Sequence, residues 1–162
     1  MKIIFFFVLI LLSALIFLKI TNQNQAELDQ KITPTVNEKP KVVIGNATIF
    51  VDVAKTTEDQ QKGLSGRESL QQNEGMLFLF EDDTYQGFWM KDMLIPIDII
   101  WIKDGRIIYI HNNVNPQPGV PDEKLTLYAP PVAIDRVLEV NAGFSERNGI
   151  EVGDSVDISA LN

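Results

Sequence analysis

The stretch Ile97-Asp98-Ile99-Ile100-Trp101-Ile102 holds five apolar residues and one carboxylate. Read as a strand, it puts Ile97, Ile99 and Trp101 on one face and Asp98, Ile100 and Ile102 on the other. Both faces are apolar, so the strand is expected to be covered on both. Asp98 is then the first inward residue after Pro96. A buried carboxylate must find a cation, find hydrogen-bond donors or keep its proton. Arg67, Lys91 and Arg136 are the candidate cations; a hydrogen-bonded anchor between strand and loop is the alternative.

The surrounding sequence reads mostly as short strands. Val42 to Ile44 and Ala47 to Ala54 flank a Gly45-Asn46 turn. Thr56 or Thr57 caps a short helix, Glu58 to Lys62, that Gly63 ends. Gly75 to Phe80 is a strand, Glu81-Asp82-Asp83 a turn, and Tyr85 to Met90 another strand. Ile97 to Ile102 and Arg106 to His111 form a hairpin around Lys103-Asp104-Gly105. Asn112 to Pro131 is a long proline-rich loop, of a length found in lids, binding loops or disordered segments. Val132 to Val140 is a strand, Ala142-Gly143 opens a short turn or helix, and Asp154 to Ile158 closes the domain. The expected fold is mainly β with one or two short helices: a small closed or partly closed barrel, which removes most exposed edges.

Residues 1–20 form a separate hydrophobic segment. Met1-Lys2 precedes an apolar run from Ile3 to Leu18, broken only by Ser13. This is the pattern of a signal peptide or a short membrane anchor. No pair of small residues follows in the manner of a cleavage site, which favours an uncleaved anchor with the domain outside the cytoplasm; secretion after cleavage is the alternative. Residues 21–40, polar and holding Pro34 and Pro40, read as a flexible linker, and residues 41–162 as the domain. The chain has no cysteine, which excludes disulfides and thiolate chemistry. Its net charge of −8 argues against nucleic acid as a partner.

Five blocks carry a resemblance: Gly63-Leu64-Ser65-Gly66-Arg67, Gly75-Met76-Leu77-Phe78, Phe88-Trp89-Met90-Lys91 with Ile95-Pro96-Ile97-Asp98, Val137 to Gly143, and Gly149-Ile150 with Gly153-Asp154. In this order and spacing the domain resembles the DUF192 family, a family of unknown function. The family usually has Met where this chain has Ser65, and often Asn-Thr where it has Asp92-Met93, which changes the polarity of the loop after Met90. The resemblance implies a small β-rich domain, often behind a signal or anchor. It brings no reaction with it.

The candidate ligand-binding residues are Arg67, Trp89, Met90, Lys91, Asp98 and Glu139. Arg67 lies in a glycine-rich connection, where a guanidinium can fork to a carboxylate or phosphate; a salt bridge to Glu74, Asp98 or Glu139 is the plainer reading. The connection lacks the Lys-Ser/Thr ending of a phosphate loop. In a strand, Trp89 would point away from Phe88 and Met90, either to pack on a loop, the plainer reading, or to offer a flat platform to a sugar or peptide. Glu139 shares an inward face with Val137, so Asp98 and Glu139 together raise the reading of a hydrolase with paired carboxylates. Met76, Met90, Met93 and His111 would suit Cu(I), but Met in strand patterns is usually core filler. No metal, no cofactor and no catalytic motif is assigned. The expectation is a membrane-tethered extracytoplasmic module that binds a small ligand or glycan. The alternatives are the hydrolase and a non-catalytic interaction scaffold, which would show an exposed apolar patch instead of a pocket.

Overall fold

The computed structural model describes residues 39–161 together with Leu18, Lys19 and Thr21. The rest of the hydrophobic segment and of the linker lies outside the described residues, and with it the anchor, the signal peptide and the tether. Among the described residues no helix is long and apolar enough to cross a membrane.

The elements run β1 (Lys41–Ile44), β2 (Ala47–Ala54), α1 (Thr57–Lys62), β3 (Glu74–Thr84), β4 (Ile97–Lys103), β5 (Arg106–Val114), β6 (Ile134–Asn141), α2 (Phe144–Arg147) and β7 (Val156–Asp157). The strands form one curled, half-barrel sheet in the order β5-β4-β6-β3-β2-β1-β7. Among the described strands only β2 and β3 pair in parallel, joined through α1. The two edges of the sheet meet at one bridge, Arg106 to Ser155, where the Val156 amide donates to the Gly105 carbonyl at 2.8 Å.

Local chemistry explains these elements. The Thr56 hydroxyl accepts from the Asp59 amide at 3.1 Å and so caps α1, and Gly63, at φ 49°, ends it. The β4–β5 hairpin turns through Asp104 and Gly105, both at positive φ. Two expectations fail. Glu81-Asp82-Asp83 is not a turn: β3 continues through it to Thr84, past an irregularity in its pairing with β6. Beyond Phe80 the strand leaves the core, so its acidic side chains stay in water and Asp83 pairs with Lys103 at 2.6 Å. Nor is Tyr85 to Met90 a strand. Its only ladder contact is a bridge from Phe88 to Tyr128, because its partner is the long loop and not the sheet.

β4 is buried on both faces, as its sequence requires. One core cluster holds Ile100, Ile102, Leu77, Leu138, Val140 and Phe144 on the concave side. The other holds Ile97, Ile99, Trp101, Phe78 and Val137 on the opposite side, closed by Leu64, Met90 and Met93 from the loops.

Asp98 points into the concave side and is fully buried. Its partners are backbone amides, not a cation. Oδ1 accepts from Asn113 at 2.8 Å and Gly143 at 2.9 Å, and Oδ2 accepts from Ser145 at 2.9 Å. Asn113 sits at φ 54°, in a bulge where β5 slips against β4. Gly143 and Ser145 bracket the start of α2. One carboxylate therefore fixes a bulge and a helical turn to β4, the strand next to the β5 edge. A hydrogen bond to a charged group is worth about 1.5–3 kcal/mol, and an amide left buried and unpaired costs about 1–3 kcal/mol. Asp98→Ala is expected to destabilise the domain by roughly 4 kcal/mol or more, read from the urea midpoint, with faster amide exchange at Asn113, Gly143 and Ser145. Asp98→Asn keeps one acceptor oxygen and should recover only part of the loss.

Candidate functional site

Cross-strand register places one row of side chains on the convex face: Asp52 of β2, Met76 of β3, Glu139 of β6, Ile99 of β4 and His111 of β5. Directly opposed residues share a face, so Glu139 lies with Met76 and Ile99. Asp98, opposite Val140, lies on the other face. The two carboxylates are separated by the sheet, so the paired-carboxylate hydrolase has no geometry here. The error came from treating both as inward: each is buried, but on opposite sides of a sheet that has a core on both.

Glu139 is 5% exposed, and its Oε2 has no hydrogen-bond partner among the described residues. Burial pushes its carboxyl up to about 8, against a lesser opposing pull from Arg67. It lines a cavity of about 280 Å³ between the sheet and the surrounding loops. The apolar lining includes Leu64, Phe78, Phe80, Phe88, Trp89 and Met93. Phe88 packs edge-on against Phe78 at 4.8 Å and Trp101 at 5.4 Å, which fixes the inner wall. Leu127 of the long loop completes the opening, seated on Gly87, where any β-carbon would lie 2.7 Å from it. The long loop thus flanks the cavity, bound through paired 2.7 Å hydrogen bonds between Phe88 and Tyr128.

Of the six candidate residues, Trp89 and Glu139 line this cavity. Trp89 is 50% exposed, with Lys91 Nζ 5.8 Å from its ring centre. Lys91 pairs with Asp122 of the long loop, which raises its pKa. Met90 is buried beside the cavity as core. Arg67 does not reach in: its guanidinium holds Asp52 at 2.6 Å, and Lys39 joins Asp52 at 3.2 Å and Glu74 at 3.0 Å. Burial acts to raise the Asp52 carboxyl, but Arg67 and Lys39 outweigh it and hold it below its usual range. The expected opposition of Phe88 and Trp89 also fails, since both line the cavity and strand alternation does not apply to a segment outside the sheet. Sequence reading missed Leu64, Phe78, Phe88 and Leu127, which look like ordinary core or loop residues; only their convergence reveals a wall.

His111 accepts from Trp101 Nε1 through Nδ1 at 2.8 Å and packs edge-on against Tyr109 and Tyr128. Burial lowers its pKa. Among the described residues no group of three His, Asp or Glu side chains could hold a metal ion. The arrangement offers one carboxyl that keeps its proton near neutrality, set in an aromatic pocket: a hydrogen-bond donor or a latent counter-ion, with no nucleophile paired to it.

That carboxyl also opposes folding. An unfolded chain releases the Glu139 proton above about pH 4.5, whereas the folded protein holds it to about pH 8. The folded state binds more protons across that window, so stability falls as pH rises through it. Glu139→Gln is expected to be more stable than the parent by roughly 3–4 kcal/mol near pH 8 and nearly equal to it near pH 5, read by denaturant titration at each pH.

The DUF192 family model, described as an uncharacterized ACR, matches residues 41–158. A protein of unknown function from Novosphingobium aromaticivorans DSM 12444 is similar in structure, with TM-score 0.66 and 31% identity over 78% of this chain and 90% of that one. A Sinorhizobium meliloti 1021 protein, described provisionally as a transcription regulator, superposes with TM-score 0.68 and 28% identity over 75% of this chain and 95% of that one. No curated protein matches the chain.

Proposed function

The chain belongs to the DUF192 family, a family of unknown function, and from the geometry of its cavity we propose that it is a small-ligand binding module, tethered to the membrane by its N-terminal segment and held outside the cytoplasm. The observation that carries the reading is Glu139: a buried carboxyl oxygen without a hydrogen-bond partner among the described residues, at the floor of a concave, aromatic-lined cavity. Ligand sites are typically concave and mostly apolar, with a few placed polar groups, and strongly perturbed titratable groups concentrate in them. A concave site of this kind favours binding a small molecule over the flat apolar patch of an interaction scaffold. The role named for the Sinorhizobium meliloti protein is not extended to this chain, whose net charge of −8 gives no excess of cations for a phosphate backbone. The tether and location rest on the apolar run from Ile3 to Leu18 behind Lys2.

A glycan is the second reading. It is favoured by an open cleft lined by Tyr109, Asn112, Asn115, Gln117 and Tyr128, amide and phenol groups of the sort that hydrogen-bond and stack on sugars.

A thermal-shift screen of the full chain against small amines, alcohols, acids and sugars tests both readings. Trp89 is half exposed, so Trp89→Ala should fold with a loss of no more than about 1 kcal/mol yet lose most of the stabilisation by a cavity ligand. Arg67→Ala should keep that stabilisation. Equal ligand stabilisation in the parent and in Trp89→Ala would remove the cavity from consideration, and a response to sugars alone that survives Trp89→Ala would move the site to the cleft. For the tether, the full chain should sediment with membranes and resist extraction by high salt; recovery in the soluble fraction at its full mass would count against it.

A further inference from the structure

The cavity is asymmetric in its hydrogen bonding. Three donors of its polar lining are taken up by protein carbonyls: Ser65 Oγ donates to the Lys91 carbonyl at 2.9 Å, Gln60 Nε2 to the Leu79 carbonyl at 2.8 Å, and Gln86 Nε2 to the Gly87 carbonyl at 3.3 Å. The remaining side-chain donors of the lining on Thr57, Gln61 and Trp89 belong to exposed residues, and the one buried polar side chain that keeps an unpartnered oxygen is the Glu139 carboxyl. Lys62 is the one cation among the lining residues, and it is exposed at the rim, where water screens it. The walls carry aromatic side chains from Phe78, Phe80, Phe88 and Trp89. A buried carboxyl and aromatic faces together suit a cation bearing an apolar body, since ring faces attract ammonium groups. We infer that the cavity takes a small organic amine, its ammonium group against the Glu139 carboxylate and its body among Phe78, Phe88 and Trp89. This inference rests on the cavity reading above and names its ligand class.

The volume limits the amine to a small one: about 280 Å³ lies just below the usual range for ligand sites, roughly 300–1,000 Å³. The proton balance follows from the geometry. The amine enters as its ammonium ion and keeps its protons, while the Glu139 carboxyl gives its own proton to water. The charged groups around Glu139 do not supply this partner. Arg67 is occupied by Asp52, Lys62 faces solvent, and its strand neighbours Met76 and Ile99 are apolar. Further along the row stand Asp52, already paired, and His111, whose Nδ1 is bonded to Trp101.

The test is isothermal titration calorimetry of the full chain with phenethylamine and choline, each against its neutral counterpart, phenethyl alcohol and dimethylbutanol. Since the carboxyl in the empty protein is held at about 8, the better-binding amine should gain about tenfold in affinity from pH 6 to 7 and about fivefold from pH 7 to 8, levelling above about pH 9. It should release close to one proton per molecule bound near pH 7, read by repeating the titration in buffers of different ionisation enthalpy. Glu139→Gln should weaken amine binding by more than tenfold, abolish the pH trend and leave binding of the alcohols within about twofold. Trp89→Ala should weaken amine and alcohol alike, which separates loss of the cavity from loss of the charge. If the alcohols bind and the amines do not, or if amine binding ignores both pH and Glu139→Gln, the amine inference is overturned while the cavity reading survives. If neither class binds and the wider screen finds no ligand sensitive to Trp89→Ala, both are overturned.

Discussion

The fold turns on a carboxylate that has no cation. Asp98 is the only charged position within the doubly buried part of β4, and its two oxygens are satisfied by the amides of Asn113, Gly143 and Ser145. Those three amides belong to segments that otherwise share little: the bulge of β5 and the first turn of α2. Anchoring both to β4 ties the β5 edge of the sheet and α2 to the doubly buried strand beside them. The residues at positive φ, Asn113 and Gly143, lie beside the acceptor, as expected where backbone is bent to aim N–H groups at an anion.

Glu139 gives the opposite result from a nearly identical starting point. Both carboxylates sit in strands next to each other, one residue out of step, and that single step sends them to opposite faces. On the concave side the chain supplies three donors. On the convex side no described residue gives a hydrogen bond to Oε2, and Arg67, whose charge acts on Glu139, is committed to Asp52. A neutral, protonated Glu139 is the cheapest solution for the empty protein. Two buried acids therefore take two physical roles, set by their surroundings and not by their chemistry.

Much of this architecture was legible in the sequence. The hairpins at Gly45-Asn46 and Asp104-Gly105, the Thr56-capped helix and the two-faced β4 all follow from local rules: turn residues at fixed positions, a side-chain oxygen before a helix, and strict alternation. Alternation also gave the correct face for each residue of β4 and for the pair Val137 and Glu139. It could not say that two inward residues on neighbouring strands face different cores, since that depends on register. Nor could it warn that Phe88 and Trp89 lie outside the sheet, because an aromatic run looks the same whether it pairs with a strand or with a loop. Arg67 was mispartnered for the same reason: its true acceptor, Asp52, comes from a strand whose place in the sheet is not evident from local sequence.

The cavity has a floor and a roof of different character. Its floor is the sheet, with Phe78 and Glu139 held in long ladders of backbone hydrogen bonds. Its outer wall is the segment around Phe88 to Lys91 and the long loop, joined by a single bridge, by Leu127 on Gly87 and by the pair of Lys91 with Asp122. An exposed ion pair of that kind contributes little, about 0–1 kcal/mol, and one bridge supplies only two backbone hydrogen bonds. The inner part of that wall is core, since Met90 is 2% exposed and Phe88 packs edge-on against Phe78 and Trp101, so only its loop side is lightly fastened. The sheet thus holds Glu139 in a fixed place, and the side of the cavity formed by the long loop is the part with the fewest interactions to lose in a local opening.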